Sequence, residues 1–197
     1  MSAGTHRILG IDPGTRFCGW GVIDRRGSAI DHVDNGVVVL TPYGPLHERL
    51  GHLLSRLTDI VETYQPNAVA VEGIFQHKNA RSALILGHAR GVALAVASSH
   101  KLPVYEYAAR QVKKALAGTG NANKDQIQRM VSLRMGLNDT PQEDAADAIA
   151  VAVCHAQSMS LNAPGMPTAI PVGAKRGRKA SRAALAALAL EQQRNRS

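Results

Sequence analysis

The 197-residue chain has few aromatic residues, few cysteines and fewer acidic than basic residues. Aromatics make up 4% of the sequence. The two cysteines, Cys18 and Cys154, are too few for a disulfide framework and do not have the spacing of metal ligands. No run reaches the ~18 apolar residues that a membrane-spanning helix needs. These absences predict buried, reduced thiols and argue against a secreted disulfide-rich protein or a membrane protein.

Three further signals are missing. The eight histidines show no HxxxH spacing, so a zinc site of that type is not expected. Gly118-Thr119-Gly120 before Lys124 lacks a following G-K-[ST] sequence and a preceding strand, which argues against a P-loop. The first predicted strand begins almost at the N-terminus and leaves no room for a signal peptide. We therefore expect a cytosolic protein.

The positive charge of the chain is unevenly distributed. The net charge is +8, and residues 161–197 alone carry seven Lys and Arg against one Glu. Residues 75–134 carry ten Lys and Arg against two acids, so the rest of residues 1–160 has a net charge of −6. A basic patch is often only a solvated surface. A basic segment next to an acidic centre, however, favours a protein that acts on a polyanion such as nucleic acid.

Hydrophobic patterning predicts an α/β domain over residues 1–160, followed by a flexible basic tail over 161–197. Strands are predicted at 7–12, 18–23, 30–40, 68–72 and 104–107, and helices at 45–64, 79–99, 110–117, 124–135 and 141–158. The sequence TPQE at 140–143 predicts a capping box with Thr140 as N-cap. In the tail, 163–177 predicts a Pro- and Gly-rich linker and 183–190 a marginal helix.

The order of these elements is that of the ribonuclease-H-like fold and predicts a five-stranded mixed sheet flanked by helices. In that topology the first strand, the fourth strand and the last helix converge at one edge of the sheet. The long helix at 79–99 is apolar on more than one face, so it must be covered on both sides by its own domain or by a partner.

Four acidic residues in apolar surroundings lie on the three converging elements: Asp12, Glu72, Asp144 and Asp147. Asp12 and Glu72 end the first and fourth strands, whereas Asp144 and Asp147 share one face of the last helix. Carboxylates held together repel one another and become protonated unless a cation joins them. Mg²⁺ prefers such oxygen ligands, so the pattern predicts a divalent metal site.

Several of these residues also have a structural explanation. Aspartate is common before Pro-Gly, as at Asp12, and Asp144 lies close enough to a helix start to be explained by the helix dipole. Glu72 and Asp147 are harder to explain, because a charge among apolar residues is costly unless it is paired or coordinating. Phe75, in a polar loop, is either a core anchor or an apolar wedge that unstacks bases.

The chain resembles the RuvC family of Holliday-junction resolvases from about Ile8 to Ala156. The resemblance rests on LGIDPGT (9–15), AVEGIF (70–75), KNARSALILGHARGVAL (78–94), VYEYAARQVKKAL (104–116) and DAADAIA (144–150). It implies a homodimer that binds a four-way DNA junction and nicks two strands symmetrically in recombination and repair. It also implies a branch-migration motor complex, RuvA and RuvB, as a partner.

The resemblance assigns the four carboxylates together as catalytic metal ligands. It makes Phe75 a base-contacting wedge and places Lys113 and Lys124 near the scissile DNA, and we also assign Lys78 and Arg81 to substrate binding. The expected mechanism is hydrolysis with two Mg²⁺ ions, which Mn²⁺ is expected to replace. Lys124, with Lys113 as the second choice, would offset the charge that builds on the phosphate. The helix at 79–99 would contribute to the dimer interface.

Two other functions stay open from the sequence alone. Asp12-Pro13-Gly14-Thr15 also fits the phosphate-cradling hairpin of actin-like and sugar-kinase-like ATPases, although this chain is short for their second phosphate loop and duplicated domain. A non-catalytic protein that binds junctions or shapes DNA would explain the basic charge. It leaves the four carboxylates unexplained.

Overall fold

The structure is a computed structural model that describes residues 4–73 and 80–159, with only the backbone for residues 80–82. Phe75 and Lys78 lie outside the described residues, as does the side chain of Arg81. The predicted linker and helix beyond residue 160 also lie outside them.

The described residues form five strands and five helices. In chain order they are β1 (His6–Asp12), β2 (Phe17–Arg26), β3 (Ala29–Val39), α1 (Leu46–Tyr64), β4 (Ala68–Glu72), α2 (Ala80–Ser99), β5 (Val104–Tyr107), α3 (Ala109–Ala117), α4 (Lys124–Met135) and α5 (Glu143–Ser158). Every predicted element of residues 1–160 is present, and the ends agree closely with those predicted. No helix among them is both long and apolar enough to cross a membrane.

The strands form one mixed sheet in the order β3-β2-β1-β4-β5. The first three strands are an antiparallel meander, whereas β1, β4 and β5 are parallel to one another. Parallel neighbours need a crossover connection. The connection from β1 to β4 runs through β2, β3 and α1, and the connection from β4 to β5 contains α2. The predicted five-stranded mixed sheet is confirmed.

Helices cover both faces of the sheet. Successive strand residues face opposite sides, so Ile8 and Ala70 pack in the core that includes α3, α4 and α5. Leu9 and Val69 point the other way, into the core with α1 and α2. Because both faces are covered, the central strands are apolar throughout instead of alternating with polar residues.

Helix α2 is covered on one side only by the described residues. Ala89, Ala93 and Val96 are buried against the sheet side of the molecule. On its outer surface Leu84 is 65% exposed. At Gly87 a Cβ would meet nothing within 4 Å. Of the two sides of α2 that the sequence predicts to be covered, the described part of the domain covers one.

The predicted capping box at the start of α5 is wrong. The helix begins at Glu143, and its N-cap is Gln142, which makes no side-chain cap hydrogen bond. Gln128 of α4 donates an N–H to the carbonyl of Pro141 at 3.1 Å. This contact from another helix holds Pro141 in the connection before α5. Glu143 is therefore not the third helical residue and does not reach back to Thr140.

Candidate active site

Asp12 and Glu72 lie side by side at one end of the sheet. They are the last residues of the adjacent parallel strands β1 and β4, which are paired up to Ile11 and Val71. Side chains alternate along a strand, so Asp12 and Glu72 share the sheet face that α5 covers. Strand pairing alone thus brings together two acids that are sixty positions apart in the chain.

Helix α5 approaches this end of the sheet very closely. At Gly19 a Cβ would overlap the backbone carbonyl of Asp144, and at Gly10 it would overlap the carbonyl of Ala148. Gly19 is the cross-strand partner of Asp12. The missing side chains therefore let the first turns of α5 lie over the end of β1. Helix α5 also approaches Gly21, where a Cβ would meet the side chain of Ile149.

The four carboxylates interact with one another. Burial raises the pKa of Asp12, and the charges of Glu72, Asp147 and Asp144 raise it further. A side-chain hydrogen bond also links Asp12 to Glu72. Burial, followed by the charge of Glu72, raises the pKa of Asp147 to about 6. The structure thus brings all four predicted acids into one electrostatic cluster, in which burial and mutual repulsion oppose ionisation.

Two lysines supply positive charge beside the cluster. Burial raises the pKa of Glu72, whereas the charges of Lys113 on α3 and Lys124 on α4 lower it. Lys124 also lowers the pKa of Asp147. Both lysines that the family resemblance places near the scissile DNA therefore lie within electrostatic reach of the acids. The placement of Phe75, Lys78 and the Arg81 side chain lies outside the described residues.

The sequence did not predict the residue that pairs with Lys124. Glu143, the first residue of α5, accepts a hydrogen bond from the Lys124 ammonium and forms an ion pair with it. The sequence pattern TPQE predicts only a capping role for Glu143. Its position directly before Asp144 was a signal that its carboxylate would lie near the site.

The acids suit a hard divalent cation by their chemistry. Carboxylate oxygens are preferred ligands of Mg²⁺ and Mn²⁺, and the repulsion among these acids is what a cation would relieve. In the part of the chain that the structure describes, no group of three or more His, Cys, Asp or Glu side chains has the arrangement of a complete metal site. The four acids are close enough for their charges to interact.

Known proteins with the same sequence pattern are nucleases. The family model described as "Crossover junction endodeoxyribonuclease RuvC" matches residues 8–155. The chain belongs to the RuvC family. Proteins of that description from Citrifermentans bemidjiense and from Neisseria meningitidis serogroup C are 49% and 48% identical. These matches cover 79% and 90% of this chain and 95% and 99% of the respective relatives.

Solved structures agree with this assignment. A structure described as T. thermophilus RuvC in complex with Holliday junction substrate has 36% identity and a TM-score of 0.74, over 79% of this chain and 95% of that one. The yeast mitochondrial Holliday junction resolvase Ydc2 has 14% identity and a TM-score of 0.58, over 80% of both chains, and shares the fold. The predicted ribonuclease-H-like fold is confirmed. The RuvC family is one of metal-dependent nucleases, and this chain is a nuclease.

Proposed function

We propose that this RuvC-family chain resolves Holliday junctions by paired, symmetric nicks, and so acts in recombination and repair of DNA inside the cell, in the cytoplasm. The observation that carries the proposal is the cluster of four interacting acids at one end of the sheet, in a chain that belongs to the crossover junction endodeoxyribonuclease family. The T. thermophilus relative, which is described in complex with a Holliday junction substrate, supports the same substrate for this chain.

The four carboxylates are the proposed ligands for two Mg²⁺ ions, with Mn²⁺ as a substitute: Asp12, Glu72, Asp144 and Asp147. Such cations supply Lewis-acid stabilisation of a phosphodiester undergoing in-line attack by water. The strands hold Asp12 and Glu72, while the start of α5 carries the other two acids against them. Because the ligands come from paired strands and a helix packed closely on them, their backbone positions are set before DNA arrives.

Lys124 is the proposed residue that offsets charge building on the phosphate during hydrolysis, with Lys113 as the second choice. Two-thirds of the Lys124 side-chain surface (66%) is exposed, so a DNA phosphate can reach its ammonium. A hydrogen bond to Glu143 raises the pKa of Lys124 further above neutral pH, where a lysine is already cationic. Phe75, Lys78 and Arg81 remain proposed DNA contacts, with Phe75 as the base-contacting wedge.

Cleavage of two strands in a symmetric junction needs two active sites, so we propose a homodimer. The outer surface of α2, with exposed Leu84 and the side-chain-free Gly87, supports α2 as part of the interface. Sedimentation equilibrium should give twice the chain mass, and Leu84→Lys should shift the protein towards monomer. A wild-type monomer at micromolar concentration would contradict the dimer. A branch-migration motor of the RuvA and RuvB kind is the proposed further partner.

The deciding experiment uses a synthetic four-way junction and a linear duplex of matching sequence, each with and without Mg²⁺. We expect paired nicks on the junction only, and only with Mg²⁺. Asp12→Asn should lose cleavage at least a hundredfold while still binding the junction, because a ligand is lost but the basic surface is kept. Phe75→Ala should slow cleavage more than it weakens binding.

Asp59→Asn is the matched control, since it removes the same charge from an exposed pair with Arg56 on α1. It should cleave like the wild type. Unpaired or absent nicks by the wild type, or full cleavage by Asp12→Asn, would contradict the proposal.

The ATPase interpretation finds no support. The described residues form a single sheet, whereas actin-like and sugar-kinase-like ATPases require a duplicated domain. A purely architectural DNA-binding role does not explain four interacting acids in a nuclease family.

A further inference from the structure

The Lys124–Glu143 ion pair joins two helices beside the proposed site. Lys124 is the first residue of α4 and Glu143 the first residue of α5. Both are accessible, with 66% and 47% of their side-chain surfaces exposed. An exposed ion pair contributes only about 0–1 kcal/mol, so another anion can replace one partner at little cost.

The stability of α4 does not explain this position of Lys124. A cation is unfavourable at a helix N-terminus, where the helix dipole is positive. The cap is already supplied by Asn123, whose side chain accepts a hydrogen bond from the backbone N–H of Gln126. The charge of the Lys124 ammonium acts instead on the neighbouring acids, since it lowers the pKa of Asp147. Lys124 therefore lies where a cation is useful for binding an anion rather than for folding α4.

Glu143 opposes that use of Lys124. It adds a negative charge next to four other acids, in a region that must admit a DNA phosphate. Glu143 and Lys124 also act in opposite directions on Asp147. While the pair is closed, the positive charge of Lys124 is neutralised within the protein. A phosphate that approaches Lys124 competes with a carboxylate already bound to it.

We propose that Glu143 is an internal competitor of the DNA phosphate for Lys124. In the free protein the Glu143 carboxylate is paired with the Lys124 ammonium. When the junction binds, its phosphate displaces the carboxylate from Lys124. Glu143 is thus a positioning residue that acts through Lys124 and weakens DNA binding without taking part in hydrolysis. The inference rests on the proposed function, because it requires Lys124 to contact DNA.

A change in salt dependence distinguishes this role from a structural one. Each phosphate neutralised by a protein cation releases condensed counterions and contributes about 0.9 to the slope of log affinity against log salt. When the phosphate displaces Glu143, the freed carboxylate attracts a cation from solution. This uptake offsets the counterions released from the DNA, so the Lys124 contact in the wild type contributes little net ion release. Without the Glu143 charge, the same contact should contribute fully.

The test is Glu143→Gln, measured by junction binding across a salt series without divalent cations, so that no cleavage occurs. We expect affinity to rise about two- to fivefold, as the loss of a competing surface pair implies. The salt slope should steepen by about 0.9. With Mg²⁺, the KM for the junction should fall by a similar factor.

Two variants control for nonspecific charge effects. Asp125→Asn removes an equal charge from the neighbour of Lys124, and within the described ranges Asp125 makes no ion pair. It should leave the salt slope unchanged. In a Lys124→Gln background, Glu143→Gln should have no further effect on binding.

Unchanged affinity and slope in Glu143→Gln would overturn the inference. So would an equal change in Asp125→Asn, or a Glu143→Gln effect that persists without Lys124. A failure of the proposed function looks different, since the wild type would then fail to nick the junction whatever residue stands at 143.

Discussion

Asp12 illustrates how one residue serves the site at a cost to the fold. Its carboxylate is partly buried among Glu72, Asp144 and Asp147, and these charges oppose its ionisation. Burial and like charges are unfavourable for a carboxylate unless a cation compensates them. Function and stability therefore make opposite demands on Asp12.

We predict that Asp12→Asn stabilises the protein when divalent cations are absent. Asparagine avoids the cost of holding the Asp12 carboxyl group, with its raised pKa, buried among like charges. The free energy of unfolding should rise by about 1–2 kcal/mol at neutral pH, seen as a higher Tm. Adding Mg²⁺ should raise the Tm of the wild type, because a ligand of the folded state stabilises it, but should raise the Tm of Asp12→Asn much less.

Differential scanning calorimetry of both proteins, with and without Mg²⁺, checks this prediction. Asp59→Asn provides a comparison, since it changes the same charge at an exposed position. An Asp12→Asn protein that is less stable than the wild type without cations would show that repulsion at Asp12 is negligible.

At the scale of elements, α5 is the part that completes the proposed site. Gly19 allows its first turn to lie against β2, with the Asp144 carbonyl where a side chain would otherwise stand. Backbone cannot move aside as a flexible side chain can, so any added atom must shift the helix.

We predict that Gly19→Ala separates α5 from the sheet and impairs cleavage. Overpacking of this kind costs about 1–3 kcal/mol of stability. A displacement of about 1 Å of the catalytic groups can cost on the order of a hundredfold in kcat. Urea unfolding and single-turnover cleavage would measure the two effects.

Gly51→Ala in α1 is the matched control, because a Cβ there meets nothing within 4 Å. It should keep full activity and gain up to about 1 kcal/mol from better helix propensity. If Gly19→Ala and Gly51→Ala had the same free energy of unfolding and the same cleavage rate, the contact between α5 and Gly19 would not affect stability or cleavage.

The elements themselves were predictable from the sequence, and some of their contacts were not. The apolar runs of β1 and β4 and the turn and breaker residues beside them located Asp12 and Glu72 at strand ends. The local signal at Thr140 placed the start of α5 two residues too early, and it could not show that Gln128 of another helix contacts Pro141 in the connection before it. The pairing of Lys124 with Glu143 was likewise invisible, since no local pattern reports which helix ends meet.

At the scale of the whole molecule, the core on the α5 side contains a buried histidine that the proposed function does not use. His155 is only 3% exposed, and its Nδ1 is hydrogen bonded to the Tyr107 hydroxyl at 2.7 Å. Its Nε2 has no hydrogen-bond partner within the described residues. Burial, followed by the positive charges of His6 and Arg25, lowers the pKa of His155 to about 4.

We predict that this histidine makes the fold acid-sensitive. The unfolded chain protonates His155 near pH 6.5 and the folded chain only near pH 4, so the unfolded state binds more protons in between. Above pH 6.5 His155 does not lower the free energy of unfolding. As the pH falls from 6.5 towards 4, this free energy decreases. At pH 5 the loss should reach about 2 kcal/mol.

Urea unfolding at pH 7 and pH 5 tests the effect. His155→Gln should lose about 2 kcal/mol less between the two pH values than the wild type, even if it is less stable at both. His47→Gln, at an exposed position in α1, should follow the wild type. An identical loss for wild type and His155→Gln would exclude His155 as the source.

The glycines beneath α5 have a consequence for how variation in this chain is interpreted. Gly10, Gly19 and Gly21 carry no charge and offer no ligand atom, yet the clearance between helix and sheet depends on their lack of side chains. A single methyl group at any of them is a small chemical change. We would rank such a substitution with loss of a carboxylate when judging whether a naturally occurring variant is still a working nuclease.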